Sequence, residues 1–298
     1  GGRSLGGLVT ALSVGAADMS GWLLMGLPGA VLLHGISESW LAIGLVMGSY
    51  VNWHVTAARL RLYTEKTHNA LTLPDYLTHR FEDKQKLLRI VSAAVILIFF
   101  TIYCASGVVA GARLFENTFD MPYDTALYVG AVATIIYVFI GGFLAVSWTD
   151  TIQASLMCIA LVVTPIAVIP GARRMSVLWM IFCLAGAVCV GFFGSGYFAE
   201  HVSDAVLVKE NHERVFIVLT SLLFNPWIAG VLMSAILAAV MSTLSCQLLV
   251  CSSTLTEDFY RSFIRPNAGQ KELVWVSRLM VLAISVVAVW IARDPNSP

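Results

Sequence analysis

The sequence predicts an all-α fold, a polytopic transmembrane helical bundle. Hydrophobic residues make up 58% of the 298 residues, charged residues only 12%, and the mean hydropathy is +0.81. Soluble domains contain about 25% charged residues, so this composition is typical of a chain that lies in lipid. Apolar runs of about 20 residues, the length that an α-helix needs to cross a bilayer, recur along the whole chain.

The apolar runs define the elements in chain order. About eight spans are predicted, the first of them broken, at residues 7–33, 39–58, 90–113, 125–147, 151–170, 176–198, 226–255 and 273–292. Between the second and third, Leu73-Pro74-Asp75-Tyr76 has the turn and cap residues of a short surface helix. The tripeptide Trp148-Thr149-Asp150 predicts a tight inner turn between the fourth and fifth spans.

Basic residues predict which loops face the cytoplasm. The 59–89 loop contains seven basic and four acidic residues and is predicted to be cytoplasmic, whereas the acidic 117–124 loop is predicted to face outward. Successive loops should alternate between the two sides of the membrane. This alternation fails after Pro170, because the basic residues Arg173 and Arg174 would then lie outside. One more span between Ile169 and Arg173 would restore the alternation. We therefore expect that about one transmembrane helix and its loops are missing there.

Asp18 is the most unusual residue of the first span. It is the only charge between Arg3 and Glu38 and lies near the middle of a run long enough to cross a bilayer. A carboxylate at that depth costs roughly 3 kcal/mol unless it lines a polar cavity or has a partner. Residues 13–29 also contain four glycines, a proline and two serines, a composition that breaks helices. The segment predicts an ion or solute site on a broken helix.

A second polar segment, Ala238–Gln247, lies inside a later span. Its adjacent Ser242 and Thr243 offer two hydroxyl oxygens, and a break in the first span would free backbone carbonyls such as those of Ala16 and Met19. Hard cations bind about six oxygens, and unwound helices with hydroxyl groups supply them. The two segments together are compatible with a sodium site, to which the nearby carboxylate would add negative potential.

Each of these features has a structural alternative. Serine and threonine in membrane helices most often bond to a carbonyl of their own helix or allow close packing, and Asp18 can act as a hydrogen-bond anchor. Tyr103, in the third span, fits the lining of a solute cavity and ordinary packing about equally well. The six cysteines, which are scattered without CxxC spacing, are predicted to be small core residues.

Composition and motifs argue against several classes of function. The net charge is zero, and the basic residues are not interleaved with aromatic residues, which argues against a nucleic-acid partner. The histidines lack metal-ligand spacing, and no GxSxG, HExxH or Walker pattern occurs. We therefore expect no enzyme. The chain opens without an initiator methionine, from which we expect an incomplete N-terminus.

Five segments resemble the sodium:solute symporter family, and the resemblance runs along essentially the whole chain. They are Gly1–Leu5, Ala17–Gly29, Asn69–Tyr76, Gly141–Asp150 and Ala238–Leu249. The resemblance implies a single transporter domain over 1–298 with a LeuT-like inverted-repeat core, 1–170 forming the first repeat and 171–298 part of the second. It also implies import of a small amino acid, above all L-proline, by alternating access across the bacterial cytoplasmic membrane.

The same resemblance implies roles for individual residues. No cofactor is implied. Sodium, the coupling ion, would be bound by carbonyl and hydroxyl oxygens and one acidic residue, from Ala16, Asp18, Met19, Ala239, Ser242 and Thr243. The solute would lie against the unwound segment and one aromatic residue, near Ser20, Gly21, Trp22, Gly26 and Tyr103. Arg3 would belong to the inner gate. No obligatory protein partner is implied.

The sequence departs from the family pattern at three places. The sixth core helix, which supplies aromatic residues to the solute site in the family, is expected to be missing between Pro170 and Ala172. The pre-core helix is expected to be missing before Gly1, and the tenth core helix after Pro298. The alternative function is therefore a non-transporting sensor or an inactive fragment.

Overall fold

A computed structural model describes residues 5–67, 69–161, 172–209 and 211–294, and every regular element in those ranges is helical. The longer elements of the first half are α1 (Gly7–Asp18), α2 (Gly26–His34), α3 (Ser39–Val51), α4 (Ala58–Lys66), α5 (Leu73–Arg80), α6 (Leu87–Phe119) and α7 (Tyr123–Leu161). Those of the second half are α8 (Ala172–Glu200), α9 (Val202–Lys209), α10 (Val215–Leu223), α11 (Pro226–Ser253) and α12 (Gln270–Ile291).

Short 3-10 and π-helical segments connect several of these helices. Gly21–Leu23, Ile36–Glu38 and His212–Arg214 are 3-10 turns. Asn52–Ala57 is a π-helix that joins α3 to α4, and Thr254–Ile264 is a π-helix that continues α11. The surface helix predicted from Leu73-Pro74-Asp75-Tyr76 is confirmed as α5, which Thr72 caps by accepting a hydrogen bond from the backbone N–H of Asp75.

The described residues form two compact units. The first contains residues up to Asn52 and Ser147–Thr243, and the second contains Trp53–Val146 and the residues from Leu244 onward. Each unit therefore combines two separate stretches of chain. The division into repeats at 1–170 and 171–298, two continuous stretches, stays a prediction.

In the first unit, α8 packs against α1, α2 and α3. The contact with α2 is so close that a Cβ atom at Gly191 would lie 2.5 Å from the Pro28 carbonyl oxygen and 2.6 Å from Val31 Cβ. A separate group of buried apolar side chains, including Phe198 and Val215, packs α8 against α9 and α10. The small residue at 191 therefore allows the broken first span and α8 to approach each other.

In the second unit, the core consists of apolar side chains of α6, the first part of α7, the end of α11 and α12. Leu127, Leu248 and Ile284 are among its buried members. Three cysteines are buried as expected (Cys104, Cys183 and Cys251, the second of them in the first unit), whereas Cys189 is exposed. The prediction that all cysteines are core residues is therefore wrong for Cys189.

The predicted inner turn at Trp148-Thr149-Asp150 is wrong. The chain is helical through these three residues, and the break in α7 lies instead at Gly142, where φ is 58° and ψ is −161°. The difference has a physical reason. Glycine adopts a positive φ without steric cost, whereas the tripeptide contains no glycine or proline that would end a helix.

Five described helices are long and apolar enough to cross a membrane, and a bent pair, Val9–Asp18 with Gly21–His34, makes a sixth. They confirm the predicted broken first span and the spans near 90–113, 125–147, 176–198, 226–255 and 273–292. The predicted 39–58 span is helical, but Asn52 and His54 interrupt its apolar run. It is not among the described helices that are long and apolar enough to cross a membrane. The predicted 151–170 span lies partly outside the described residues.

Gly191→Ala should destabilise the chain by about 1–3 kcal/mol, because the added methyl group would overlap α2. Gly196→Ala is the matched control in the same helix, since a Cβ atom there meets nothing within 4 Å. In detergent, thermal unfolding should show a lower Tm for the first variant and an unchanged or higher Tm for the second, because alanine favours helix. Equal Tm values would contradict the close packing of α2 on α8.

Candidate functional site

The first span breaks after Asp18, as the sequence predicts. Met19 and Ser20 are extended, with φ/ψ of −98°/100° and −80°/−174°, and the two helical arms are bent by 74°. The Ser20 hydroxyl accepts a hydrogen bond of 3.2 Å from the Trp22 N–H and so starts the 3-10 turn that leads into α2. The break is therefore stabilised by its own residues.

The extended backbone removes the helical partner of the Ala16 carbonyl, which would otherwise accept from the N–H four residues later. Two hydroxyl groups of α11 occupy that position. The Ser242 hydroxyl donates to the Ala16 oxygen at 2.8 Å, and the Thr243 hydroxyl lies 3.3 Å from the same oxygen. Ser242 Oγ is also 3.1 Å from the Ala239 carbonyl oxygen of its own helix. The structure thus brings together four of the predicted sodium ligands.

These four oxygens lie in a buried and uncharged setting. Ala16, Ala239 and Ser242 are fully buried, and Thr243 is 3% exposed. Carbonyl and hydroxyl oxygens are the ligands that hard cations prefer, and a site without a coordinating carboxylate suits an ion of low charge. The arrangement is one that can bind a monovalent cation between the end of α1 and α11.

The other predicted ion-site residues lie less centrally. Met19 is buried and extended at the break. The Asp18 side chain is exposed, and within the described ranges no side chain pairs with its carboxylate. It follows the cluster by two residues without joining it, which fits a source of negative potential better than a ligand. Arg3, the predicted gate residue, lies outside the described residues.

Four of the five predicted solute-site residues lie together at the break. Gly21 is buried, and the Trp22 indole packs over Gly26 so closely that a Cβ atom there would lie 2.4 Å from Trp22 Cδ1. Trp22 itself is 41% exposed. Tyr103 lies on α6 in the second unit and is 39% exposed, so its part in a solute site stays a prediction.

Sequence reasoning missed one buried carboxylate of the first unit. Asp150 is 1% exposed, its Oδ2 accepts a 3.1 Å hydrogen bond from the Ser13 hydroxyl, and its Oδ1 has no partner among the described residues. An acidic residue in a mainly apolar stretch is the signal that could have identified it, but the same residue also suits a turn. The hydrogen bond connects α1, one turn before the break, to α7.

Known proteins are similar to this chain along its whole length. The model of the "Sodium:solute symporter family" matches residues 1–172 and 168–298. The "Sodium/proline symporter" of Escherichia coli K12 is 57% identical over 358 aligned positions, covering 100% of this chain and 71% of that protein. The "Sodium/proline symporter" of Salmonella typhimurium LT2 has the same identity and coverage.

These matches also locate an internal gap. The alignments extend over 358 positions for a chain of 298 residues, so about 60 positions of each relative have no counterpart here. The two segments matched by the family model meet at residues 168–172. The gap expected near Ile169–Arg173 from the failed alternation of loop charges is therefore confirmed.

A solved structure shows the fold. A substrate-bound, outward-open Na+-coupled sialic acid symporter superposes with a TM-score of 0.74 at 15% identity and covers 98% of this chain and 74% of its own. At that identity the likeness is evidence for the fold alone. It agrees with the all-helical LeuT-like architecture predicted from the sequence.

Ser13→Ala should destabilise the chain by about 1–3 kcal/mol, because it would leave both buried oxygens of Asp150 without a described partner. Ser155→Ala is the control, since that hydroxyl is exposed and, in the part of the chain that the structure describes, bonds only to the Thr151 carbonyl of its own helix. Thermal unfolding of the two purified variants measures the difference. A Ser13→Ala variant as stable as the control would show that the Ser13–Asp150 contact does not stabilise the fold.

Proposed function

Because this chain belongs to the sodium:solute symporter family, we propose that it imports L-proline together with Na+ across the bacterial cytoplasmic membrane. It acts as a secondary transporter and not as an enzyme. The observation that supports this function best is the buried cluster in which Ser242 and Thr243 of α11 meet the freed carbonyl of Ala16. The solute follows from the relatives, which are named for proline.

In this proposal Na+ lies between the end of α1 and α11. It is bound by the carbonyl oxygens of Ala16 and Ala239 and by the two hydroxyls, with the Met19 carbonyl as a further ligand. Each group is neutral, and Asp18 adds the negative potential that balances the ion's charge. Because the ligands come from two helices, the ion stabilises the conformation in which those helices are close.

Proline binds next to the ion in the same broken segment. A short unwound stretch followed by a helix N-terminus is favourable for a carboxylate, because free N–H groups and the positive end of the helix dipole point toward it. Ser20 and Gly21 provide that backbone, while Trp22 and Gly26 form one wall. Sodium and proline then favour the same conformation, and this differential affinity couples one to the other.

A second candidate is a membrane protein that binds sodium without transporting a solute. The internal gap of about 60 positions supports it, because the sixth core helix expected in the gap would supply aromatic residues to the solute site. The two candidates differ in one measurement. Purified chain in proteoliposomes should take up labelled proline when an inward sodium gradient is applied. Saturable sodium binding without uptake would favour the second candidate.

Thr243→Ala and Ser242→Ala should each raise the sodium concentration for half-maximal proline uptake by about tenfold or more. One lost ligand to a cation corresponds to about 1.5–3 kcal/mol. Ser234→Ala is the matched control, since among the described residues its hydroxyl bonds only to the Val231 carbonyl, on the exposed side of the same helix. Uptake measured against sodium concentration, with potassium as the balancing ion, gives the values. An unchanged sodium dependence in both variants would contradict the ligand assignment.

Asp18→Asn should also weaken the sodium dependence, but by a different route. The substitution keeps the shape and removes a negative charge close to the ion without removing a proposed ligand, so the half-saturating sodium concentration should rise less than in Ser242→Ala or Thr243→Ala. Uptake against sodium concentration, with potassium as the balancing ion, compares the three variants. A larger rise for Asp18→Asn than for both ligand variants would indicate that the carboxylate binds the ion directly.

Gly26→Ala should impair proline affinity more than sodium affinity. A methyl group at this position overlaps the Trp22 ring and would displace it. Both residues are proposed to form a wall of the solute site, whereas neither is a proposed sodium ligand. The half-saturating proline concentration should rise several-fold at saturating sodium. A variant in which only the sodium dependence changes would remove Trp22 and Gly26 from the solute site.

A further inference from the structure

Arg89, in the first turn of α6, is a buried cation with partners on two other elements. It is only 8% exposed. Its guanidinium donates to Asp75 of α5 and to the Ser262 hydroxyl of the π-helix that continues α11. Its Nε also donates to the Thr78 hydroxyl at 3.3 Å. A buried guanidinium with three hydrogen-bond partners can remain charged. Loss of one partner would leave a buried charge that is not fully paired, which destabilises the fold.

A second contact connects the same two elements. Thr72, the cap of α5, donates from its hydroxyl to Asp258 Oδ1 of the π-helix at 2.9 Å. The Asp258 side chain is fully buried and lies 4.0 Å from Arg89 Nε. Its Oδ2 has no hydrogen-bond partner among the described residues. We call these six residues, Thr72, Asp75, Thr78, Arg89, Asp258 and Ser262, the Arg89 cluster.

The position of the cluster connects it to the candidate sodium site along one helix. The π-helix Thr254–Ile264 directly continues α11, and the two together form one membrane span, Pro226–Ile264. Ser242 and Thr243 lie in the middle of that span, and Asp258 and Ser262 lie near its end. The other members of the cluster belong to the 59–89 region, which the loop charges predict to be cytoplasmic.

The cluster also lines a cavity. A cavity of about 910 Å³ in the second unit is lined by Asp75, Arg89 and Ser262, together with charged residues such as Lys86 and Glu257. If the hydrogen bonds of Arg89 broke, its guanidinium and the Asp75 carboxylate, which both line this cavity, could hydrate from it. Separation of this pair would therefore not leave its two charges buried without water.

We propose that the Arg89 cluster is a cytoplasmic latch, closed when the end of the Pro226–Ile264 helix is held against α5 and opened when the ion is released to the cytoplasm. This inference rests on the proposed function. Sodium fixes the middle of that helix and the latch fixes its end, so each stabilises the other, and the coupling is reciprocal. Arg89 and Asp258 are positioning residues, because they do not touch the ion.

The test measures the latch directly and does not require transport. Backbone amide exchange of residues 73–80 is followed in purified full chain, with sodium and with potassium at equal ionic strength. Sodium should slow exchange of α5 by roughly fivefold or more, the lower end of ordinary coupling between two sites. Exchange of residues 15–23 in the same samples reports on the ion site itself.

Asp258→Asn is the informative variant, because the amide keeps the shape and an oxygen for Thr72 but removes the charge near Arg89. The sodium effect on α5 should fall below about twofold, while that on residues 15–23 persists. Glu257→Gln is the matched control. It makes the same chemical change one residue earlier, in a more exposed pair with Arg261, and should keep the full effect.

Arg89→Lys provides a second variant should Asp258→Asn fail to fold. It keeps the positive charge but removes the planar guanidinium group, which donates hydrogen bonds to three partners. It should also abolish the sodium effect on α5. A sodium effect at residues 15–23 without one at 73–80 in the unaltered chain would overturn the latch and leave the proposed function standing. A full sodium effect in either variant would also overturn it. No sodium effect anywhere would overturn both proposals.

Discussion

The structure of the candidate site depends on one backbone event, the release of the Ala16 carbonyl from its helical hydrogen bond. α1 ends at Asp18 because Met19 and Ser20 are extended, and the freed oxygen would be costly to bury without a partner. Ser242 and Thr243 supply hydroxyl groups at that point. Because these hydroxyl groups replace the helical N–H as partners of the Ala16 carbonyl, several oxygens come together in a group that a cation can bind. In the proposed function, ion binding therefore depends on the break in the helix.

Close packing around the break makes this arrangement specific. Gly191 allows α8 to approach α2 within contact distance of the Pro28 carbonyl, and the Ser13–Asp150 hydrogen bond holds α1 one turn before the break. The first contact fixes the arm after the break, and the second fixes the arm that bears the free carbonyl. A broken helix without such support would expose backbone groups at a depth where they have no water to bind.

Much of this could be predicted from the sequence, because the signals are local. Glycines, a proline and a mid-span carboxylate within residues 13–29 predict a break, and the Ser242–Thr243 pair predicts a polar point on a later helix. The failures are equally informative. Gly142 and Trp148-Thr149-Asp150 lie close together in one apolar run, and only the backbone shows that the break falls at the glycine. Asp150 and Arg89 find their partners far along the chain, at Ser13 and at Ser262, and no local pattern indicates such pairs.

In the proposed function, sodium binds where the Ala16 carbonyl meets the two hydroxyls of α11. Equilibrium binding of radioactive sodium to the purified chain, in the absence of proline, distinguishes this site from any other. We expect saturable binding that becomes undetectable when Ser242 and Thr243 are both replaced by alanine and that persists in Ser234→Ala. Saturable binding of equal affinity in the double variant would contradict it, because the ion would then be held elsewhere.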